Sequence, residues 1–326
     1  METHRLGTTE LCLTPVGLGC WAIGGGNWAY AWGPQDEADS VATIHRALEE
    51  GVNWIDTAPI YGLGTSESVV GKALRSVGVR PIIATKCGLV WNQRRKIKFC
   101  LTRESILREV DQSLQRLNVD VIDLYQIHWP NDERHLAEGW ETLARLVEIG
   151  KIRYAGLSNC SVSQMESLHR IHPISSLQPP YSMLKRNAEH HLLPFCSAGR
   201  IGVIVYSPLQ KGLLTGAIDA RRVAGFAQDD HRKYDPLFQG RQLDINLELT
   251  AGLQKIAENA GRTVAQLAVA WTLANPEVSA AIVGARRPAQ ITETARAAAW
   301  KLSDDERGAV QSLLDKRNQA LRESIS

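Results

Sequence analysis

The stretch "GVNWIDTAPIYGLGTSESVVGKAL", Gly51 to Leu74, carries the decision about the fold. It begins as a short apolar run, "VNWID", and ends in "SESVVGKAL", whose apolar residues recur at helical spacing. Asp56 and Tyr61 stand at the join. A buried strand that turns directly into an amphipathic helix is half of a β-α-β unit, so the flanking sequence must show whether the unit repeats.

It does repeat. Apolar or β-branched runs at 16–20, 52–56, 81–85, 121–127, 152–157, 175–178, 201–206 and 280–283 read as eight strands. Helical spacing covers 36–50, 66–77, 102–117, 136–148, 161–171, 188–198, 247–273 in two pieces, and 287–298, one pattern after each strand. Thr102, Ser161 and Ser303 stand where N-caps belong, the last two with Gln164 and Glu306 three residues on. Gly51, Gly150 and Gly199 close the first, fourth and sixth helices, where a left-handed residue is expected. Helix-to-strand connections are short, whereas the strand-to-helix side holds the long segments 21–35, 86–101, 128–135 and 207–246. This asymmetry predicts an α/β chain folded as a (β/α)8 TIM barrel, with its active site where the strands finish. Residues 4–15, "HRLGTTELCLTP", read as an N-terminal β-hairpin, and 303–326 as an additional C-terminal helix. No linker, repeat or low-complexity tract divides the chain, so 1–326 reads as a single domain. A doubly wound sheet also alternates strand and helix, but its first strand should meet a Gly-x-Gly-x-x-Gly turn. Here it meets "GCWAIGGGNWAYAWG", in which Gly24, Gly25 and Gly26 do not match and no helix starts at once.

Composition excludes several classes of partner. The 326 residues are 44% hydrophobic and 22% charged, enough to bury a large core. With 37 Lys and Arg against 35 Asp and Glu, the net charge of +2 supplies no field to hold nucleic acid or an anionic membrane. No window reaches the ~20 apolar residues of a membrane span and no leader pattern opens the chain, so a cytoplasmic location and a small-molecule partner are expected. The six cysteines lack any Cys-x-x-Cys pair and read as reduced, mostly buried thiols. His169, His172, His190 and His191 lie in polar helical surroundings without carboxylates at ligand spacing and read as solvated faces; no metal site is expected. The basic run "RRKIK", 94–98, reads as a solvated loop in preference to an anion site.

If the barrel is right, the polar residues that end successive strands share one mouth. Asp56 ends the second strand with Tyr61 close behind, Lys86 follows the third, and His128 the fourth. Taken singly, each has an ordinary explanation as a cap, a packing ring or a surface charge. Together they have a chemical use. A phenol is a weak acid at neutral pH, and a neighbouring ammonium would stabilise its phenolate and bring its pKa down toward the working range. Asp56 would keep that lysine charged in an apolar mouth, and His128 could hold a substrate oxygen or share its proton.

These residues and their setting resemble the aldo-keto reductase superfamily, particularly its bacterial branch, along nearly the whole chain. The similarity runs from "VGLGCWAIGG" to "AAIVGARRPAQITETARAA" through "GVNWIDTAPIYG", "IHWP", "GKIRYAGLSN" and "VYSPLQKGLLTG". The resemblance implies a (β/α)8 barrel closed below by the hairpin, and NAD(P)H-dependent, reversible reduction of aldehydes or ketones. It puts the catalytic tetrad on Asp56, Tyr61, Lys86 and His128, with Tyr61 as proton donor. It also implies that Ser158, Asn159 and Gln178 meet the nicotinamide amide, that Tyr206 stacks on the ring, and that Ser207, Leu209 and Gly212 line the pyrophosphate. Gly284, Arg286, Arg287, Gln290 and Thr294 fall in the segment implied to bind the remainder of NADPH. There the opening of a helix and two arginines suit a phosphate. Relatives that carry lysine early and asparagine late in this segment differ from this chain, which has Gly284 and Thr294. Segment "AQDDHRKYDPLFQG" is similar to a loop that lies over the cofactor in the bacterial branch. Trp21 is counted with the cofactor-binding residues, and Trp21, Trp91 and Trp129 are candidates for the pocket wall, against plain packing. Trp28 and Trp32 carry no assignment. Two other readings stay open. Potassium-channel β-subunits share this fold and cofactor but serve as partner proteins, which would call for an exposed apolar surface or a docking segment, and no long N-terminal extension is evident. A phosphate-handling barrel isomerase would leave the Tyr-Lys pair without a purpose. Substrate, direction and oligomeric state are not legible.

Overall fold

The N-terminal hairpin forms as expected in the computed structural model, which describes residues 1–324: β1 (His4–Arg5) pairs antiparallel with β2 (Cys12–Leu13). The last two residues of the helix expected over 303–326 lie outside the described residues. Leu6, Leu11 and Leu13 of the hairpin pack with Trp54, Leu124 and Ile204 and so plug the floor of the structure above them. Burying such side chains supplies the driving force, roughly 1.5–3 kcal/mol for each.

Above the floor the chain alternates. In order come β3 (Val16–Gly19), α1 (Glu37–Glu49), β4 (Trp54–Asp56), α2 (Thr65–Leu74) and β5 (Ile82–Cys87). A second hairpin follows, β6 (Leu89–Trp91) and β7 (Ile97–Phe99), then α3 (Arg103–Leu117), β8 (Ile122–Ile127), α4 (Leu136–Glu148) and β9 (Ile152–Ser158). The chain continues through α5 (Val162–His169), β10 (Ser176–Gln178), α6 (Leu192–Ala198), β11 (Gly202–Tyr206) and α7 (Ala220–Ala224). It finishes with α8 (Gly240–Asn259), α9 (Val264–Leu273), β12 (Ala280–Gly284), α10 (Pro288–Ala295) and α11 (Asp304–Glu323). Eight strands close into a barrel in the order β10-β11-β12-β3-β4-β5-β8-β9, every pair parallel. The helices bury their apolar stripes on its outer face, as Ile44, Val110, Trp140 and Leu193 show. α8 and α11 lie together outside the ring, joined through Leu249, Leu253, Val310 and Leu314.

The caps act as read. Thr102 accepts from Ser105 N, and Ser161 and Ser303 complete capping boxes with Gln164 and Glu306, each cap worth about 1 kcal/mol. Gly51 and Gly150 take positive φ as expected, but Gly199 does not: φ is −82° there and the left-handed residue is Arg200. Four further expectations change. Segment 86–101, read as irregular, holds the β6–β7 hairpin, so the basic run is its turn and second strand, although Arg94, Arg95 and Lys96 are exposed as a solvated run requires. Asn92 Oδ1 accepts from the backbone of Arg94 and Lys96 and makes that turn, and strands of three residues are too short to show period 2 against the four charges of the run. The pattern at 188–198 splits into a 3-10 turn (Asn187–Glu189) and α6, and the helical piece expected from 247 starts at Gly240. The long segment after β11 also folds a short helix, α7.

Candidate active site

Local chemistry fixes the turn between β4 and α2. Tyr61 N donates to Ala58 O, Gly64 N to Pro59 O and Ser66 N to Tyr61 O, while Ser66 Oγ reaches Cys20 O at the end of β3. A side chain at Gly62 (φ +64°) would sit 2.1 Å from Gly24 O, so glycine permits the loop after β3 to press on this turn. The result is that Asp56 and Tyr61 face the same side of the strand ends.

Lys86 arrives from β5, fully buried. Its Nζ donates to Asp56 Oδ1 at 2.7 Å, to Thr57 O at 2.8 Å and to the Tyr61 hydroxyl at 3.3 Å. On the opposite face of the same strand, Thr85 Oγ1 bonds Glu67, which Arg116 pairs at 2.7 Å, and this holds the strand's position. His128 lies edge-on to the Tyr61 ring, centroids 5.7 Å apart. The four residues expected to act together are therefore brought together.

The electrostatics differ from expectation in one respect. The Tyr61 phenol is not drawn down by the ammonium; burial, then the Asp56 charge, hold it well above the ordinary tyrosine value. Asp56 bonds Lys86 more closely than the phenol does, so the ammonium is largely compensated before Tyr61 meets it. Burial lowers Lys86 from its ordinary value while Asp56 opposes the drop. His128 is pushed well below the usual histidine range by burial and by Lys86, which makes it a neutral imidazole. A neutral phenol beside a neutral imidazole and a buried ammonium can donate hydrogen bonds to an oxygen and give up a proton.

A cavity of ≈ 1060 Å³ opens above these groups. Small-molecule sites run about 300–1,000 Å³, so it accommodates more than one small substrate. Among the expected cofactor residues, Ser158, Asn159, Gln178, Tyr206, Ser207, Leu209 and Gly212 line it. Their bonds are specific. Asn159 gives Nδ2 hydrogens to His128 O and Ser158 Oγ and accepts from the Tyr206 hydroxyl at 2.8 Å. Ser158 Oγ donates to Gln178 O. Gln178 Nε2 donates to Asp56 Oδ2 at 2.8 Å and to Gln126 Oε1 at 3.2 Å. Ser207 (φ +59°), Gln210 (φ +44°) and Lys211 (φ +57°) hold left-handed backbone without being glycine, a cost that sites of function commonly carry.

At the far end, Gly284, Arg286, Gln290 and Thr294 line the cavity, but Arg287 is exposed outside it. The free N–H groups expected at this helix opening are partly taken, because Gln290 Oε1 accepts from the backbone of Arg286 and Arg287. The Arg286 guanidinium donates to Trp32 O at 3.1 Å, to Pro34 O and to Gln35 Oε1 at 2.7 Å. Among the described residues no carboxylate pairs with it; Asp230 acts on it as an opposite charge, and Arg232, Arg287 and Arg222 as like charges. Lys211 and Arg232, also in the wall, are paired with Asp235 and Asp230.

The tryptophans sort themselves. Trp21 and Trp129 line the cavity; Trp91 does not, and packs instead on the cluster of Trp28, Ile60 and Leu89. Trp28 and Trp32, left unassigned, do line it. The sequence reading missed Leu89, Ile97 and Phe99, which the unforeseen hairpin brings to the wall, and Lys211 and Arg222, whose long loop carries no periodic signal; the segment 227–240, singled out for its likeness to a loop over the cofactor, does supply His231, Arg232, Asp235 and Leu237 to the wall. The donors fit a nicotinamide dinucleotide: an aromatic ring at a strand end, amides in the middle, and a cationic end.

Comparison with known proteins agrees. The family model for the aldo/keto reductase family matches residues 15–315, so the chain belongs to the aldo/keto reductase family of carbonyl-reducing oxidoreductases, which use a nicotinamide cofactor. An NADH-specific methylglyoxal reductase of Escherichia coli (strain K12) is 37% identical over 93% of this chain and 95% of its own. The solved glycerol dehydrogenase of Gluconobacter oxydans superposes with a TM-score of 0.88 at 39% identity, covering 97% of this chain and 96% of that one. An aldo/keto reductase from Klebsiella pneumoniae, solved with NADP and acetate, superposes with a TM-score of 0.72 at 29% identity over 96% of this chain and 95% of its own.

Proposed function

We propose that this aldo/keto reductase reversibly reduces aldehydes or ketones to alcohols, using NADPH and the phenolic proton of Tyr61. The observation that carries the reading is the Tyr61 hydroxyl 3.3 Å from Lys86 Nζ, with Asp56 behind the lysine and His128 beside the ring. A nicotinamide held by Ser158, Asn159, Gln178 and Tyr206 would supply the hydride for the carbonyl carbon. On this reading Tyr61 and His128 hold the carbonyl oxygen, and Tyr61 gives it a proton as negative charge develops there. Lys86 offsets the phenolate that remains, and Asp56 holds Lys86 in place. Because burial raises the phenol, its proton is retained through neutral and mildly alkaline pH, so reduction should fall only as pH rises further.

Preference for NADPH is supported by Arg286. It is a cavity-wall cation without a carboxylate partner, and its terminal nitrogens keep N–H groups beyond those given to the loop, which suits the 2′-phosphate. Arg287 is outside the wall and takes no part. Tyr61→Phe tests the chemistry: turnover should drop by about 10²–10⁴-fold with the dissociation constant for NADPH unchanged. A variant that keeps most of the wild-type turnover would remove Tyr61 from the role of acid.

A further inference from the structure

The barrel ladder of β5 ends at Cys87, which pairs with Ile127 of β8. The angle at which β6 and β7 leave the rim is therefore set by contacts beyond the ladder. A bond from Cys100 N to Gly88 O closes the neck of this hairpin on itself and leaves the angle free. Two carboxylates fix it. At the entry, Gly88 N donates to Glu109 Oε2 at 2.9 Å; at the exit, Leu101 N donates to Asp132 Oδ2, also at 2.9 Å. Ionised acceptors make the stronger class of hydrogen bond, and one stands at each foot of the hairpin.

Leu101 is a firm pivot. It is fully buried, a Cβ at Gly88 would stand 2.6 Å from its Cδ2, and one at Gly139 of α4 would stand 3.0 Å from its carbonyl oxygen. Asp132 is itself held, since His135 Nδ1 reaches both of its oxygens, at 2.9 and 3.1 Å. Its place in the chain matters most. Asp132 belongs to the segment after β8 that sends His128, Trp129 and Asn131 to the cavity wall, while the hairpin sends Leu89, Ile97 and Phe99. The bond from Leu101 to Asp132 thus joins two wall segments beside Tyr61, whose ring packs in one cluster with Leu89 and Ile97. What these segments offer a ligand is mainly hydrocarbon and aromatic ring.

We propose that Asp132 is a positioning residue for substrate selection: by fixing the hairpin to the segment after β8, it sets the width of an apolar slot beside Tyr61 that takes the carbon chain of the carbonyl substrate. Glu109 holds the other foot and shares the task. Neither lines the cavity, so both act through the residues they hold. The proposal rests on the carbonyl-reductase reading above and adds a substrate class to it, aldehydes with an apolar chain.

The full chain is assayed with NADPH against the straight-chain aldehydes from propanal to octanal. In the wild type kcat/KM should climb about two- to fourfold for each CH2 that enters the slot. Asp132→Ala, an exchange in a partly exposed loop, should flatten the climb to under about 1.5-fold per CH2, with propanal reduced as before and the dissociation constant for NADPH within about twofold. Asp132→Asn keeps an acceptor for Leu101 N and should keep the climb. Glu109→Leu should flatten it too, and serves if Asp132→Ala does not fold. Glu138→Ala is the control, because Glu138 accepts from Arg103 N and so holds the start of α3 without touching the hairpin. A wild type without a climb, or a climb kept by both Asp132→Ala and Glu109→Leu, overturns the proposal. Equal flattening by Glu138→Ala also overturns it, since general loosening would then suffice. Failure of the function reading looks different: Tyr61→Phe would leave the whole series unaffected while the climb persisted.

Discussion

At the chemical end of the cavity, Asp56, Lys86 and Gln178 come from strand ends and are at most 2% exposed, and Asp56 accepts from both of the others. At the cationic end, two loops, 21–35 and 207–239, are held to each other and to β12 by bonds that a side chain makes to backbone. Asp229 accepts from Asn27 N, His231 Nδ1 donates to Ala31 O, and Arg286 donates to Trp32 O and Pro34 O. The difference teaches what each end has to do. Proton transfer needs groups held to a fraction of an ångström, which a closed barrel provides. A dinucleotide must enter and leave, and loops held by a few separate hydrogen bonds can open.

Lys86→Met attacks the rigid end and should have the largest effect. It leaves Asp56 buried without its cation, which costs about 3–5 kcal/mol of stability, and turnover should fall about 10³-fold. Urea unfolding with steady-state assays measures both; if stability is unchanged, the strand ends are not the coupled unit described. Arg286→Ala attacks the other end. NADPH should bind about 10–100-fold more weakly while NADH changes little, and stability should move by under about 1 kcal/mol. Equal weakening of both nucleotides would mean that Arg286 only ties the loop.

Glu109 sharpens the comparison, because it is a carboxylate of the rigid end without a cation in contact. It accepts from Gly88 N at 2.9 Å and Ser105 Oγ at 3.0 Å, at the base of the β6–β7 hairpin, and burial pushes it up to about 7 from 4.5. The folded chain therefore holds this proton more firmly than the unfolded one. Its contribution to stability is complete below about pH 4.5 and is lost as pH rises through about 7. Relative to the wild type, Glu109→Gln should gain roughly 2–4 kcal/mol between pH 5 and 8, read from denaturant midpoints at both. Parallel pH curves for the two proteins would contradict this. The smallest effect is expected of Asp229→Ala, which unties one loop bond: cofactor release should quicken by a few fold, by stopped-flow fluorescence, with turnover chemistry intact.

Much of this was legible because it is periodic or local. Eight strands, their order with the helices, the caps at Thr102, Ser161 and Ser303, and the meeting of Asp56, Tyr61, Lys86 and His128 all follow from spacing once strand ends are known to share a mouth. The β6–β7 hairpin escaped because three-residue strands carry too little pattern, and with it went Leu89, Ile97 and Phe99 of the cavity wall.

The state of each group was another matter. A lysine near a tyrosine suggests a lowered phenol, but the distances 2.7 Å to Asp56 and 3.3 Å to Tyr61, together with burial, reverse the direction. Adjacent arginines look equivalent in "GARRPAQ", yet Arg286 enters the wall while Arg287 faces solvent, and Gln290 occupies N–H groups that seemed free for an anion. Gln126 and Gln178 are 52 positions apart, and only the alignment of β8, β9 and β10 side by side lets the two amides bond. The sequence by itself determined the barrel and which residues stand at its mouth, because period and turn chemistry act over a few neighbours. The tertiary structure alone decided protonation, the fate of each hydrogen bond and the wall of the cavity, because these depend on burial and on partners brought from distant parts of the chain.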